Sequence, residues 1–181
     1  MTTYENSYLG VSLKVPDDWL LTTWRDSTIA PAWRKAYQLG DDDVPRDGDP
    51  AASKFLFTAV RHLPGSDIRV LADIELSVCL LPQTLGLRDQ LLANFRRQQA
   101  HYADSGIIST ITGEGTWMLG HCHFAYVDQV STRRRATSRY RFFFARCRDG
   151  LGLYGKIAGH TEPAYDDALL IVQGLTCDEA G

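Results

Sequence analysis

The sequence has no apolar run approaching the length of a membrane-spanning helix, which excludes a helical membrane protein. Cysteine is sparse. Cys79, Cys122, Cys147 and Cys177 stand singly, without a C-x-x-C pair. A four-cysteine zinc site needs close pairs, so that reading falls. The start, Met1-Thr2-Thr3-Tyr4-Glu5-Asn6, shows neither the basic nor the apolar segment of a secretory signal, and no cysteine lies near it to take a lipid. That predicts a cytoplasmic protein, and in a reducing compartment four buried free thiols. Positive charge is not in excess. Lys+Arg is 19 against Asp+Glu 22, a net charge of −3, which argues against a general nucleic-acid binder. The serine-hydrolase elbow G-x-S-x-G is absent.

What is present is ordinary for one globular domain of 181 residues, with 44% hydrophobic and 23% charged residues. A chain of this length buries a core without covalent staples. Val11, Leu13 and Val15 alternate with smaller or polar residues, the pattern of a half-buried strand. Trp19 to Trp24 reads as a second strand, and Pro31 to Leu39 as a short helix. Residues 40–50, rich in Asp, Gly and Pro, read as an acidic surface loop. Ser53 to His62 and the segment from Asp73 form a hairpin around Pro64-Gly65-Ser66-Asp67. In the second arm Ile74, Leu76, Val78 and Leu80 share the covered face, and Asp73, Glu75, Ser77 and Cys79 the wetter one.

Leu87, Leu91, Leu92, Phe95 and Tyr102 mark a long helix over 87–103. Strands follow at 107–112, 117–131, 138–147 and 151–158. Thr161 caps a last helix ending at Gly174, whose Ala164, Ala168, Leu169, Ile171 and Val172 are expected to face the sheet, and the residues beyond 174 read as a tail. Strands do not alternate strictly with helices, so the fold class is α+β, with an antiparallel sheet covered by helices and a single domain over 1–181.

The opening Tyr4 to Asn6, the alternation Gly10-Val11-Ser12-Leu13-Lys14-Val15 and the following Pro16-Asp17-Asp18-Trp19 resemble the PsbP-like superfamily. The long helix, a strand pair around Gly120 and the closing helix match its element order. The superfamily includes the extrinsic photosystem II protein, a Ran-binding nuclear import factor of yeast, DcrB-type bacterial proteins and chaperones of type VI secretion effectors. The resemblance implies an antiparallel sheet between helical layers, an α/β/α sandwich. It implies a non-catalytic, protein-binding role of the adaptor or secretion-chaperone kind in the bacterial branch. It supplies no catalytic residue.

Gly150-Leu151-Gly152-Leu153-Tyr154-Gly155 matches G-x-G-x-x-G, but the residues after it cannot open a helix, so the run reads as a hairpin turn and a strand of small residues. No cofactor is implied. His121 and His123, read as one strand face, form the most metal-like pair, with His62, His101 and His160 as conceivable further ligands. They carry the alternative function, a metal- or small-ligand-binding protein or enzyme using these histidines or a pocket between sheet and helix. Asp41 to Asp49 fails as a calcium loop, because Pro45 and Lys54 would occupy ligand positions. Arg133, Arg134, Arg135, Arg139, Arg141, Arg146 and Arg148 form a basic stretch interleaved with aromatics. With Trp24 and Trp33 they are the candidate anchors for a protein partner, or for a second copy in a homodimer.

Overall fold

Alternation of apolar and polar side chains, repeated over ten strands, dictates the architecture. The computed structural model describes residues 1–23, 53–66, 69–80, 86–102, 106–134, 136–147 and 150–177. The helix expected at 31–39, the acidic loop at 40–50, Trp24, Trp33, Arg135 and Arg148 lie outside the described residues. The strands are β1 (Thr2–Asn6), β2 (Val11–Val15), β3 (Leu20–Thr23), β4 (Ser53–His62), β5 (Val70–Leu80), β6 (Ile107–Leu119), β7 (Cys122–Arg133), β8 (Ala136–Arg146), β9 (Leu151–Gly159) and β10 (Thr176–Cys177). The described helices are α1 (Leu87–Tyr102) and α2 (Glu162–Gln173).

Seven strands form one antiparallel sheet in the order β3-β4-β5-β9-β8-β7-β6, and three form a second in the order β1-β2-β10. Because side chains point to opposite faces at a period of two, register assigns each residue of the large sheet to one face. Ile74 pairs with Ile157, Leu76 with Gly155, Gly155 with Phe143 and Phe143 with Tyr126. This face meets α2 and the three-stranded sheet. Its cluster joins Phe57, Phe124 and Phe143 to Ala164, Tyr165, Ala168 and Val172 of α2 and to Tyr4, Val11 and Leu13 of the small sheet. The opposite face carries a smaller cluster, in which Leu91 of α1 packs on Ala125, Val127, Phe142 and Phe144.

The α2 stripe follows from its cap. Thr161 accepts a hydrogen bond from the Ala164 amide at 3.3 Å, an N-cap that sets the phase of the helix. Ala164, Ala168 and Val172 are then buried, and Tyr165 joins them.

Four expectations need correction. The large sheet is not sandwiched by helices alone: one of its faces is covered jointly by α2 and the small sheet, because the alternating β2 residues bury one side of that sheet against the same core. The strand expected over 117–131 is two strands, broken at Gly120 and His121. Gly120 adopts φ +58°, and a Cβ there would lie 2.6 Å from the Cys177 amide nitrogen, so glycine suits both the turn and the close approach of β10. The residues after 174 are not all tail. Leu175 and Cys177 are buried and β10 pairs with β2. Finally, the cysteines are not four free thiols. Cys122 and Cys177 form a disulfide across 55 residues, and Cys79 and Cys147 are not disulfide-bonded. Their isolated spacing hides this pair, since only the turn at Gly120 and the strand β10 bring the two together.

Candidate functional site

On the α1 face of the large sheet, side chains from β5, β9, β8, β7 and β6 surround a cavity of about 460 Å³. Its position follows from the register. Along β7 the residues on this face run Ala125, Val127, Gln129 and Ser131, so an apolar stripe turns polar halfway along the strand. Ala125 and Val127 take the packing of α1, and Gln129 and Ser131 line the cavity.

The polar wall is a short chain of hydrogen bonds. Gln129 Nε2 donates to Ser131 Oγ at 2.7 Å, and Ser131 Oγ shares a hydrogen with Ser109 Oγ of β6, also at 2.7 Å. Gln129 is 6% exposed, and its carbonyl Oε1 has no hydrogen-bond partner. An unpaired buried acceptor costs about 1–3 kcal/mol, so its retention asks for a partner that the described residues do not supply. Among the described residues the other buried side-chain atom without a partner is His62 Nδ1, which does not line the cavity. Gln99 of α1 donates to the Ser109 carbonyl at 2.8 Å and ties the helix to this end of β6.

The opposite wall holds an ion triad. Lys156 Nζ lies 2.9 Å from Asp73 Oδ2 and 3.1 Å from Glu75 Oε2. Burial would lower the lysine pKa, but the two carboxylates together outweigh it and the net shift is upward. The ammonium therefore stays charged, and its charge is already answered. Between the walls, Tyr140 and Phe142 stack at 6.0 Å, and Phe142 and Tyr154 at 6.4 Å. The Tyr154 hydroxyl is pushed up by burial and then by Glu75, so it remains protonated and able to donate. Among the described residues neither the Tyr140 nor the Tyr154 hydroxyl has a hydrogen-bond partner.

The thiol and the carboxylate beside the cavity are already engaged. Cys79, on the same face, donates to the Gly152 carbonyl and its thiol is pushed up to about 11 by burial, which makes it a poor nucleophile. The carboxylate nearest the cavity, Glu75, is engaged by Lys156.

His121 and His123 are not presented on one continuous strand. His121 sits in the β6–β7 turn, its amide donating to the Cys177 carbonyl at 3.0 Å, and His123 is the second residue of β7. Both side chains are exposed. His160 Nδ1 is hydrogen-bonded to Ser138 at 2.7 Å. Among the described residues no three His, Cys, Asp or Glu side chains gather as metal ligands do.

The basic stretch divides in two. Arg133 and Arg134 are exposed at the β7–β8 tip, where Arg134 adopts φ 57°. Arg139 and Arg141 turn toward the α2 side. Arg141 grips Asp128 through Nε at 2.7 Å and Nη2 at 2.8 Å, and lies over the rings of Tyr126 at 4.2 Å and Trp117 at 5.0 Å. Arg139 pairs with Glu162 at 2.7 Å and lies 4.9 Å over the Tyr165 ring. Arg141 thus ties β8 to β7 and β6 within the sheet, while Arg139 reaches the start of α2 through a solvent-exposed pair that adds little stability. The G-x-G-x-x-G run is a turn and β9, as its flanks predict. Gly155 is needed because a Cβ there would lie 2.0 Å from Phe143 Cζ.

Sequence reasoning missed Gln129, Ser109 and Ser131. The sequence signal for Gln129 and Ser131 is the alternate-residue stripe Ala125-Val127-Gln129-Ser131, in which two polar positions continue an apolar face, and Ser109 joins them through its pairing with Ser131.

No protein-family model and no curated protein matches the sequence. Among solved structures, the cyanobacterial PsbP (CyanoP) of Synechocystis sp. PCC 6803 superposes with TM-score 0.59 at 8% identity, over 98% of this chain and 92% of that one. LpqN, involved in cell envelope biogenesis of Mycobacterium tuberculosis, superposes with TM-score 0.52 at 13% identity, over 92% of this chain and 82% of that one. At these identities the likeness is one of fold, and the chain has a PsbP-like fold.

Proposed function

We propose that the protein is a non-catalytic binding protein that holds a small molecule in the cavity on the α1 face. One observation carries this reading: the buried Gln129 Oε1 borders the cavity without a partner. A volume of about 460 Å³ falls within the roughly 300–1,000 Å³ of small-molecule sites. The ligand site thus moves from His121 and His123 to the sheet face. The Cys122–Cys177 disulfide supports residence in an oxidising compartment, in place of the cytoplasm that the N-terminal residues suggest.

Native mass spectrometry of protein purified from its own source tests the reading. A small molecule retained by the wild type and lost from Gln129→Leu is the expected result. Wild type and variant with identical, ligand-free masses after gentle purification and after incubation with cell extract would refute it.

A second reading, a protein-binding module, is supported by the exposed Arg133 and Arg134 at the β7–β8 tip. It predicts an acidic protein partner or a homodimer whose formation weakens in Arg133→Glu, Arg134→Glu and as salt is raised. Co-purification and sedimentation at low and high salt decide it. A monomer that recovers no stoichiometric protein counts against it.

A further inference from the structure

Resting on the reading of the cavity as a ligand site, we propose that its ligand is a neutral, hydroxyl-rich ring compound of the sugar or cyclitol class. Charge comes first. Lys156 is the cation bordering the cavity, and it is held between Asp73 and Glu75. An anion would meet two carboxylates and one ammonium already neutralised by them. The triad's net charge of −1 repels an anion outright. A cation would have to share Glu75 with Lys156, setting two positive charges on one carboxylate, so the triad offers it no carboxylate of its own.

The groups left to a ligand are neutral and of mixed kind. Gln129 Oε1 only accepts. The Tyr140 and Tyr154 hydroxyls donate and accept, and burial keeps Tyr154 protonated. A hydroxyl group is the ligand function that satisfies all three, because it donates to Gln129 while accepting from a tyrosine. Several hydroxyls on one rigid frame reach separate walls without the entropy cost of a flexible chain. The remaining lining is apolar: Ile107 and the Phe142 ring supply a surface for the C–H face of such a ring.

Heteronuclear NMR of the full chain tests the class. The probes are glucose, galactose and myo-inositol as neutral polyols, sodium phosphate as the anion and choline chloride as the cation, each at the same concentration and ionic strength. The expected result is saturable shifts of the Gln129 side-chain amide and of the Ser109 and Ser131 backbone amides with at least one polyol, and none with phosphate or choline. Gln129→Leu and, separately, Tyr154→Phe each weaken that binding about tenfold, the effect of losing one buried hydrogen bond to a neutral ligand. Tyr154→Phe keeps the ring and its packing, so it serves should Gln129→Leu fold poorly. Saturable shifts at these residues with choline or phosphate and with no polyol overturn the class while leaving the cavity a ligand site. No shift with any probe also overturns the class, and the native mass of the purified protein then reports separately whether the cavity holds a ligand at all.

Discussion

The two faces of the seven-stranded sheet are built from the same strands and do opposite things. On the α2 face, Phe57, Phe124 and Phe143 are 1% exposed or less, and the Phe143 ring occupies the space a side chain at residue 155 would fill. Even the charged residues there are tied down, with Asp128 and Arg141 paired through two hydrogen bonds. On the α1 face the hydrophobic cluster stops short, and the strands go on with Gln129, Ser131, Tyr140 and Tyr154 around a cavity. A close-packed face supplies stability through burial. A face with a cavity and a buried acceptor that has no partner among the described residues gives up some stability. On the proposed reading, one sheet separates folding from binding by the parity of its residues.

Substitutions on the closed face should therefore damage stability, and those on the open face should damage binding. The largest effect belongs to Phe143→Ala, which empties the centre of the core and should cost about 4 kcal/mol in urea unfolding. Loss of the disulfide comes next. Cys122→Ser with Cys177→Ser should cost about 3 kcal/mol, because the bond closes a loop of 55 residues and fixes β10 beside the β6–β7 turn. Reductant should lower the melting temperature of the wild type and leave the double variant unchanged.

Gly155→Ala places a methyl group against the Phe143 ring and should cost about 2 kcal/mol. Combined with Phe143→Leu, it should cost less than the sum of the two changes, since the smaller side chain yields the space. Additive losses would mean that the two residues do not share that volume.

Alkali gives a smaller effect that touches both faces. Burial raises Tyr165, on the closed face, to about 12, and raises Tyr154, on the open face, as well. A group whose folded pKa exceeds its unfolded value keeps its full contribution below the unfolded value and loses it as pH rises through the folded one. Lys156, also shifted upward, acts with the same sign. Stability should therefore fall as pH climbs from about 10, the ordinary tyrosine value, toward 12. Tyr165→Phe and Tyr154→Phe should each flatten that fall in pH-dependent unfolding curves.

Most of the closed face was legible in the sequence. The alternation around Ile74 and Leu76 and the α2 stripe of Ala164, Ala168 and Val172 are local patterns, and they fold as the period predicts. Tyr165 escaped because its burial depends on Gly159: a Cβ there would approach Tyr165 to within 2.5 Å, a contact between elements that no period reports. The break of 117–131 into two strands does not show in local composition, because Trp117 to Ser131 stays strand-like through the turn, and only the family's element order put a strand pair around Gly120. The Cys122–Cys177 pair needed the same turn. The open face was the least legible. Gln129 on a strand reads as one more polar position, and its burial beside Ser131 and Tyr140 arises only when β6, β7 and β8 are aligned. His121 and His123 drew attention because metal chemistry has a residue signature, whereas two polar positions continuing an apolar stripe are a much weaker sign.

The most direct measurement compares wild type and Gln129→Leu for ligand binding and for urea unfolding in the same buffer. If the two faces divide binding from folding, the variant loses the ligand. Its stability should stay within about 1 kcal/mol of the wild type, because removing the unpaired acceptor offsets the lost hydrogen bond from Gln129 to Ser131. A variant that binds as well as the wild type, or that loses several kcal/mol of stability, would contradict that division.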